Sequence, residues 1–157
     1  MNKMRFLYAV IATSILFAAC GKQAGEDVKI TATSVHESFA PDGLLKAVEP
    51  GWHAKTPPAY PQIVTFTLAN PQQISSIGLL PQAGQLSRGP RKFVVEVSDD
   101  TSTWKEVATV ENDCNAPAEN WRDHSLGNAV STKNVRIKIL SNCGDPDFLT
   151  LRGVRFK

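Results

Sequence analysis

Alternation of apolar and polar residues with a period of two is the feature that most constrains the fold of this chain. In the segment QIVTFTL (62–68), the apolar residues Val64, Phe66 and Leu68 alternate with two threonines. Such alternation places one face of a β-strand in a core and the other in water. The same pattern recurs in three further segments: VKITATS (28–34), KFVVEV (92–97) and NVRIKIL (134–140).

Four shorter segments complete the predicted set of strands: ISSIGLL (74–80), TWKEVATV (103–110), NWRDHSL (120–126) and FLTLRGVRF (148–156). The last one changes the parity of its alternation between Leu151 and Val154, and Gly153 lies at the break, as in a β-bulge. Turn-forming stretches such as ANPQQ and SDDTST separate the segments. About eight short strands with turns roughly every ten residues predict an all-β sandwich.

The amino-terminal part of the chain differs from the rest. Lys3 and Arg5 precede an apolar, uncharged run at residues 6–19. This run of about fourteen residues is too short to cross a bilayer, which needs about twenty. It is therefore predicted to be the apolar part of a secretion signal, with small residues ahead of Cys20 for cleavage.

The segment LFAAC (16–20) resembles the lipobox of bacterial lipoproteins, although Phe17 stands where a leucine is usual. The resemblance implies that residues 1–19 are a lipoprotein signal peptide, that Cys20 is lipidated, and that residues 20–27 tether a domain at 28–157 to a membrane. An ordinary signal peptide with an incidental cysteine is the alternative. Gly21 rather than an aspartate follows the cysteine, which favours the outer membrane within a bacterial cell envelope.

Composition excludes one class of partner. Removal of residues 1–19 leaves 138 residues, enough for one domain with its own core. It also leaves 15 basic and 15 acidic residues, so the exported part is predicted to be neutral. A nucleic-acid partner would need a clustered positive face. The single local cluster, RGPRK (88–92), is more simply a solvated loop, so no nucleic acid is expected as a partner.

Two cysteines remain once Cys20 is assigned to lipidation. Cys114 and Cys143 each lie in a loop-like segment, ENDCNAP and SNCGDPD. Because export leads to compartments where disulfides persist, we predict that the two are bonded. No Cys-x-x-Cys motif and no histidine at ligand spacing accompanies them, so no metal site is predicted.

Several landmarks occur in an order that resembles the discoidin domain, also called the coagulation-factor C-type domain. They are APDG (40–43), GWHAK (51–55), YPQIVTFTL (60–68), FVVEVSDDTSTWKEVA (93–108) and the closing strands KNVRIKIL and FLTLRGVRF. The resemblance covers roughly residues 28–157. It implies a jelly-roll β-sandwich of the galactose-binding type, with about eight main strands. The loops at one end of such a sandwich bind glycans, phospholipid head groups or proteins, usually without catalysis.

Sugar-binding members of the family carry a Trp-His pair after the DG turn, and Trp52 and His53 match it. The resemblance therefore implies that His53 contacts a sugar hydroxyl, while Trp52 packs beneath the loop. The alternative is that His53 is only a polar loop residue.

Other loops supply the remaining candidates for ligand binding. Gln82 stands where the family often has an arginine, and Arg88 and Arg91 lie in the same loop and could reach over. The loop SNCGDPDF (141–148) commonly completes such sites, and there Asn142 and Asp145 are the candidates. A turn pinned by the disulfide is the alternative explanation of this loop.

A structural calcium ion is common in relatives near the DG turn, where a glutamate of the last strand closes the site. Asp42 is present here, but Gly153 stands at the place of the glutamate. Calcium prefers several oxygen ligands, carboxylates among them. We therefore expect no cofactor, with calcium disfavoured.

Three functions follow from these observations. The first is a membrane-anchored module that binds a glycan or glycoconjugate. The second is an envelope protein-interaction or scaffold domain with a degenerate sugar site. It is favoured by Gln82 and by Thr56, which stands three positions after His53, where the family often has an aromatic residue. The third, an enzyme, is disfavoured because the sequence lacks a Gly-x-Ser-x-Gly, a His-Glu-x-x-His, a phosphate-binding loop and paired carboxylates, so no catalytic residue is predicted.

Overall fold

The computed structural model describes residues 28–117 and 120–157. The predicted signal peptide, the lipidation site at Cys20 and the tether at 20–27 lie outside these ranges. The described elements are β1 Lys29–Ala32, β2 Trp52–His53, β3 Gln62–Leu80, β4 Pro90–Ser98, β5 Lys105–Glu111, β6 Arg122–Asn142, β7 Thr150–Leu151 and β8 Gly153–Phe156, with 3₁₀ helices at Pro41–Lys46 and Leu86–Arg88. No helix within these ranges is long and apolar enough to cross a membrane.

β3 and β6 form the centre of the main sheet, whose strand order is β1-β3-β6-β4-β5. β8 pairs with the second half of β3, and β2 and β7 form a separate pair. All of these pairs are antiparallel. Antiparallel sheets commonly have one face in the core and one in solvent, so this pairing agrees with the alternation of buried and exposed residues along the described strands.

The two central strands are long and bend. β3 has 19 residues and β6 has 21, and their pairing shifts register twice between residues 67 and 76 of β3. The ring of Phe66, in the first half of β3, contacts Phe156 of β8 edge-on at a centroid distance of 5.2 Å, although β8 pairs with the second half of β3. The two halves of β3 therefore face each other across the core, as two layers of a jelly-roll β-sandwich.

The core contains the side chains that the alternation predicts. Its buried members from these strands are Val64, Phe66, Leu68, Phe93, Val95, Val135, Ile137 and Ile139. Burying a side chain of this size contributes roughly 1.5–3 kcal/mol relative to leaving it in water. The predicted all-β sandwich and its inward faces are thus confirmed.

The strand count matches the prediction, but the boundaries do not. The predicted strands QIVTFTL and ISSIGLL are two halves of β3, and NWRDHSL and NVRIKIL are two halves of β6. The stretch ANPQQ, predicted to be a turn, shifts the register within β3 without ending it. A bulged strand keeps its extended backbone, and local turn propensity does not distinguish a bend from an end.

The last predicted strand is divided between two sheets. Leu151 lies in β7, which pairs with β2, whereas Val154 lies in β8, which pairs with β3. Gly153 is buried between them, where a Cβ atom would lie 2.9 Å from Ala47 and from Trp121. Close contact and a change of partner strand, not a bulge, explain the break in parity.

Cys114 and Cys143 form the predicted disulfide, with Cα atoms 5.6 Å apart. The bond joins the loop after β5 to the loop after β6. The amide of Cys143 also donates a hydrogen bond of 2.9 Å to the carbonyl of Gly89, in the loop before β4. The disulfide therefore fixes one end of the sandwich, where the candidate site lies.

Candidate functional site

Three chain segments meet at one end of the sandwich, and we call the surface that they form the rim. They are residues 33–61, 81–89 and 143–149. The amide of Asp145 donates to the carbonyl of Ser87 at 3.2 Å, and the amide of Ala54 donates to that of Leu149 at 3.0 Å. All of the candidate ligand-binding residues lie on these segments or, for Asn142, directly before one.

Arg88 is held in a defined orientation within the rim. Its Nε donates to Oδ2 of Asp145 at 3.3 Å, and its guanidinium carbon lies 4.3 Å from the centroid of the Phe148 ring. The Arg88 side chain is 25% exposed and that of Asp145 is 16% exposed. Its two terminal nitrogens hydrogen-bond to none of the described residues, so they are donors available to a ligand.

Asp145 and Asn142 hold the loop at 143–149 in shape. Oδ1 of Asp145 accepts hydrogen bonds from the amides of Asp147 and Phe148 at 3.0 and 2.9 Å. Burial alone would raise the pKa of Asp145, but these amides and Arg88 together lower it. Nδ2 of Asn142 donates to the carbonyls of Asp145 and Phe148 at 2.6 and 2.7 Å. Both amide hydrogens of Asn142 are therefore used within the loop.

His53 lies deeper than the exposed part of the rim. Its ring stacks on that of Phe39 with a centroid distance of 4.2 Å, and the residue is buried. Burial is the main cause that lowers the pKa of His53, and a hydrogen bond to the backbone of Pro50 opposes it. Nε2 is shielded from solvent and has no partner among the described residues. The predicted contact between Nε2 of His53 and a ligand would require the groups that shield this nitrogen to move aside.

Gly51 explains why the Trp52–His53 strand can approach β7 so closely. Gly51 has a φ of +83°, and a Cβ atom there would collide with the backbone of Leu151 and Arg152. Glycine adopts positive φ at no steric cost. Trp52 is fully buried behind it, as predicted, and its Nε1 donates to the carbonyl of Ser34 at 2.9 Å.

Gln82 lies in the loop that also carries Arg88, and its carbonyl accepts a hydrogen bond of 3.2 Å from the amide of Gln85. Its Oε1 is buried and has no partner among the described residues. Beside it, the amide of Ala83 donates to Oε1 of Glu49 at 3.3 Å, and Arg152 donates to the same oxygen at 2.9 Å. An ion pair between Glu49 and Arg152 thus lies next to the backbone of the residue that follows Gln82.

The structure brings some candidates together and leaves others apart. Arg88, Asn142 and Asp145 form one connected set of contacts. His53 and Gln82 share no hydrogen bond with that set among the described residues. Phe39, which covers His53, was missed by sequence reasoning, since nothing in SFAPDG shows that its aromatic ring reaches the Trp-His strand.

A cleft lies at the other end of the sandwich. It has a volume of about 430 Å³ and is lined by residues of the β4–β5 turn and the middle of β6: Val97, Ser98, Asp99, Asp100, Thr103, Lys105, Val130, Ser131 and Thr132. The carboxylate of Asp100 accepts hydrogen bonds from the amides of Ser102 and Thr103 at 2.9 and 3.0 Å. This carboxylate therefore serves the turn that carries it.

The residues near the DG turn do not suit a calcium ion bound through side chains. Asp42 is exposed in the first turn of the 3₁₀ helix, and Gly153 offers no oxygen in its side chain. Within residues 28–117 and 120–157, no cluster of three or more His, Cys, Asp and Glu side chains could hold a metal. The expectation that the domain folds without calcium stays a prediction.

Comparison with known protein families gives one match, to the F5/8 type C domain, over residues 29–150. The match covers most of the chain and the strands β1 to β6. This chain therefore belongs to the F5/8 type C, or discoidin, domain family, as the order of its landmarks predicted. No sequence among the curated proteins matches the chain.

Solved structures that are similar to this chain include carbohydrate-binding modules. A CBM32 module from Clostridium perfringens in complex with GalNAc-β-1,3-galactose is 24% identical, with a TM-score of 0.66 over 82% of this chain and 94% of that one. The family 32 module of C. perfringens NanJ, in complex with galactose, is 16% identical, with a TM-score of 0.67 over 82% and 92%. The CBM32 module of AlyQ, in complex with 4,5-unsaturated mannuronic acid, is 17% identical, with a TM-score of 0.68 over 82% and 93%. At these identities the comparisons establish the fold.

Acidification is expected to destabilise the domain through two histidines, the buried His53 and the half-buried His124. Burial is the main cause that lowers the pKa of His53 and of His124, whose Nε2 lies 2.6 Å from Oδ1 of Asn112. An unfolded histidine titrates near pH 6.5, so below that pH the unfolded chain binds more protons and the free energy of unfolding falls. Urea unfolding between about pH 7.5 and about pH 5.5 measures this fall.

The two carboxylates with lowered pKa values, Asp145 and Asp123, do not titrate within that pH window. The pKa values of Asp145 and Asp123 are lowered, the latter to about 2, so both groups stay ionised above pH 5. A His53→Gln, His124→Gln double variant should lose most of the slope between about pH 7.5 and about pH 5.5. An unchanged slope in the double variant would show that neither histidine is buried as described.

Proposed function

We propose that this chain is a membrane-anchored lipoprotein whose discoidin-like domain binds carbohydrate at the rim without catalysing a reaction. The observation that carries the proposal is the orientation of Arg88, which Asp145 and Phe148 hold while its terminal nitrogens stay available. A planar, forked donor matches pairs of adjacent sugar hydroxyls. Because the guanidinium is already ordered, binding immobilises little additional side chain.

The family supports sugar as the class of ligand. The modules of the same fold were solved with galactose, with GalNAc-β-1,3-galactose and with an unsaturated mannuronic acid. Those ligands differ in ring substituents and in charge, so the fold favours a saccharide without selecting one. Two carboxylates of the rim, Asp145 and Glu49, are each engaged in an ion pair, which favours a structural role for them over catalysis.

A glycan array probed with a soluble fragment that begins at Glu26 tests the proposal. We expect at least one bound saccharide, and we expect Arg88→Ala to weaken its binding about tenfold or more, since a hydrogen bond from a charged group contributes about 1.5–3 kcal/mol. Arg91→Ala is the matched control, because Arg91 pairs with exposed Glu111 at 3.0 Å outside the rim.

Failure of the array would favour the second function. If no saccharide binds at millimolar concentration, the carbohydrate proposal is wrong. Two features then fit a degenerate sugar site. Oε1 of Gln82 is buried without a hydrogen-bond partner among the described residues, and the small Thr56 stands in place of an aromatic residue. In that case cross-linking in cells should recover one envelope protein that free sugar does not displace.

Lipid anchoring at Cys20 has its own test. We expect that a Cys20→Ser change moves the protein from the membrane fraction to the soluble fraction, because acyl chains bind the bilayer by about 0.8 kcal/mol per buried methylene. The unchanged chain is the control, fractionated in parallel by ultracentrifugation. Persistence of the Cys20→Ser chain in the membrane fraction would contradict lipidation and favour an anchor of another kind.

The point at which β1 enters the sandwich bears on which way a membrane-anchored rim would face. β1 begins at Lys29, which pairs with Thr67, whereas its last residue, Ala32, pairs with Val64 near the rim. The chain therefore enters the sandwich about 17 Å from the rim end of β3, at about 3.4 Å per residue. A lipid on Cys20 would then hold the domain by the end opposite to the rim, and the rim would face away from the membrane.

A further inference from the structure

The disulfide lies in a surface cleft rather than in the core. This cleft, which we call the disulfide cleft, has a volume of about 350 Å³, and its lining includes Cys114, Cys143, Arg91, Asp113 and Asn115. Both cysteines are partly exposed, and the buried core cluster of the described residues contains neither of them. Thiol–disulfide exchange needs access to one of the two sulfur atoms, and the cleft provides it to a small molecule.

The backbone around Cys114 is held mainly by the residue that follows β5. Asn112 is buried, its Nδ2 donates to the carbonyl of Pro90 at 2.7 Å, and its amide donates to the carbonyl of Arg91 at 2.7 Å. The backbone of Cys114 itself makes no hydrogen bond to the described residues, and its neighbour Asp113 is exposed. Breaking the disulfide would therefore free Cys114 while Asn112 keeps the end of β5 in place.

Cys143 connects the disulfide to the segment that carries Arg88. The amide of Cys143 donates to the carbonyl of Gly89 at 2.9 Å, and the amide of Asp145 donates to the carbonyl of Ser87 at 3.2 Å. These two hydrogen bonds hold the residues on either side of Arg88. A change in the position of Cys143 would thus act directly on the backbone that orients the arginine.

We propose that the disulfide cleft is a thiol-exchange site, at which a small thiol reduces the bond in the folded domain and thereby loosens the rim around Arg88. A thiolate attacks Sγ of Cys114, the S–S bond breaks, and its electron pair passes to Sγ of Cys143, which takes a proton from water. A second thiolate then attacks the reductant's own sulfur in the mixed disulfide and releases Cys114, which is also protonated. Two thiols are oxidised to one disulfide, and the bond in the protein is reduced.

The charges in the disulfide cleft favour one class of reductant. The positive charge of Arg91 is paired with Glu111 at 3.0 Å. Asp113, which is adjacent in sequence to Cys114, forms no ion pair with the described residues. An incoming thiolate is repelled by the carboxylate of Asp113, and a second anionic group on the same molecule increases that repulsion. A small thiol that also carries an ammonium group is therefore the favoured reductant.

Three thiols of similar size but different charge test the proposal: cysteamine, 2-mercaptoethanol and 2-mercaptoethanesulfonate. The oxidised full chain, in a mild detergent without denaturant, is incubated with each, and free thiols are capped with iodoacetamide. Mass spectrometry of peptides then reports Cys114 and Cys143 separately from Cys20. At equal thiolate concentration we expect cysteamine to reduce the bond fastest and the sulfonate to reduce it slowest.

Asp113→Asn tests whether the attack takes place in the disulfide cleft. The variant keeps the side-chain oxygen that accepts the amide of Asn115 at 2.9 Å and loses the charge. We expect it to lower the ratio of the cysteamine rate to the sulfonate rate about threefold. Asp42→Asn is the matched control at an exposed position elsewhere, and it should leave the ratio unchanged. The same ratio in Asp113→Asn as in the unchanged chain would overturn attack within the cleft.

A core variant separates reduction of the folded domain from reduction of the unfolded chain. Ile137 is fully buried in β6, and Ile137→Val should raise the unfolded fraction about fivefold. If the bond reacts in the folded domain, its rate of reduction is the same in this variant as in the unchanged chain. A rate that rises with the unfolded fraction would overturn the exchange site.

Hydrogen exchange of backbone amides, followed by NMR, tests the effect on the rim. After reduction, the amides of Cys143 and Asp145 should exchange about threefold faster or more, because the hydrogen bonds that they donate are loosened. The amide of Ala54, which donates to the carbonyl of Leu149 at 3.0 Å, is the internal control. Unchanged exchange at Cys143 and Asp145 would overturn the connection between the disulfide and the rim. None of these measurements needs a sugar, so their outcome is independent of the proposed glycan binding.

Discussion

Replacing Trp52 with alanine is expected to destabilise the domain by about 3–5 kcal/mol, the range for removing a large aromatic side chain from a core. Trp52 is fully buried and belongs to the short strand that carries His53. Its indole nitrogen also donates a hydrogen bond of 2.9 Å to the carbonyl of Ser34. The substitution therefore removes core volume and a hydrogen bond that connects the first rim segment to the sandwich.

Chemical denaturation followed by circular dichroism measures this loss. Trp104→Ala is the matched control, because Trp104 is partly exposed in the β4–β5 turn and lies against the guanidinium of Arg136 at 4.3 Å. It should cost only about 1 kcal/mol, the value of a cation–π contact at an exposed site. If the two variants lose similar stability, Trp52 does not occupy the core position described.

Removal of the disulfide is expected to have the second largest effect. A Cys114→Ala, Cys143→Ala double variant should lose about 3–4 kcal/mol, because the bond closes a loop of about thirty residues in the unfolded chain. Removal of the bond should also loosen the rim, because Cys143 begins the 143–149 loop and its amide donates a hydrogen bond to the carbonyl of Gly89. The expected result is a lower melting temperature together with weaker glycan binding.

Two measurements test the disulfide prediction. Thermal unfolding of the double variant is compared with that of the oxidised wild-type chain, and glycan affinity is measured well below both melting temperatures. The reduced wild-type chain is the control for effects of the alanines themselves. A double variant as stable as the oxidised protein would contradict a bond between these two cysteines.

The fold was largely predictable from local patterns. Alternation at Val64, Phe66 and Leu68 predicted a buried face, because side-chain direction in a strand follows sequence parity. The joining of two predicted strands into β3 was not predictable in this way. Whether a polar, proline-containing stretch ends a strand or bends it depends on the partner across the sheet, and that partner is some 60 residues away in β6.

The positions of the candidate site residues in the fold were predictable and their contacts only in part, while their binding of a ligand stays a prediction. The resemblance placed Arg88, Asn142 and Asp145 in loops at one end of the sandwich, and the structure joins them there. It could not show that Asn142 donates both amide hydrogens within its own loop, or that Phe39 covers His53. The hydrogen bonds of Asn142 depend on the path that its loop takes in space, and the contact of Phe39 with His53 joins two separate segments; sequence patterns report neither.

Mapping the bound glycan on the protein is the most direct test of the account. The chain is labelled with ¹⁵N and titrated with the saccharide that binds best on the array, and the backbone amide shifts are followed by NMR. We expect the shifts to concentrate in residues 33–61, 81–89 and 143–149, with Arg88 among the most affected. Shifts that concentrate instead in the cleft at the opposite end, around residues 97–105 and 130–132, would contradict it.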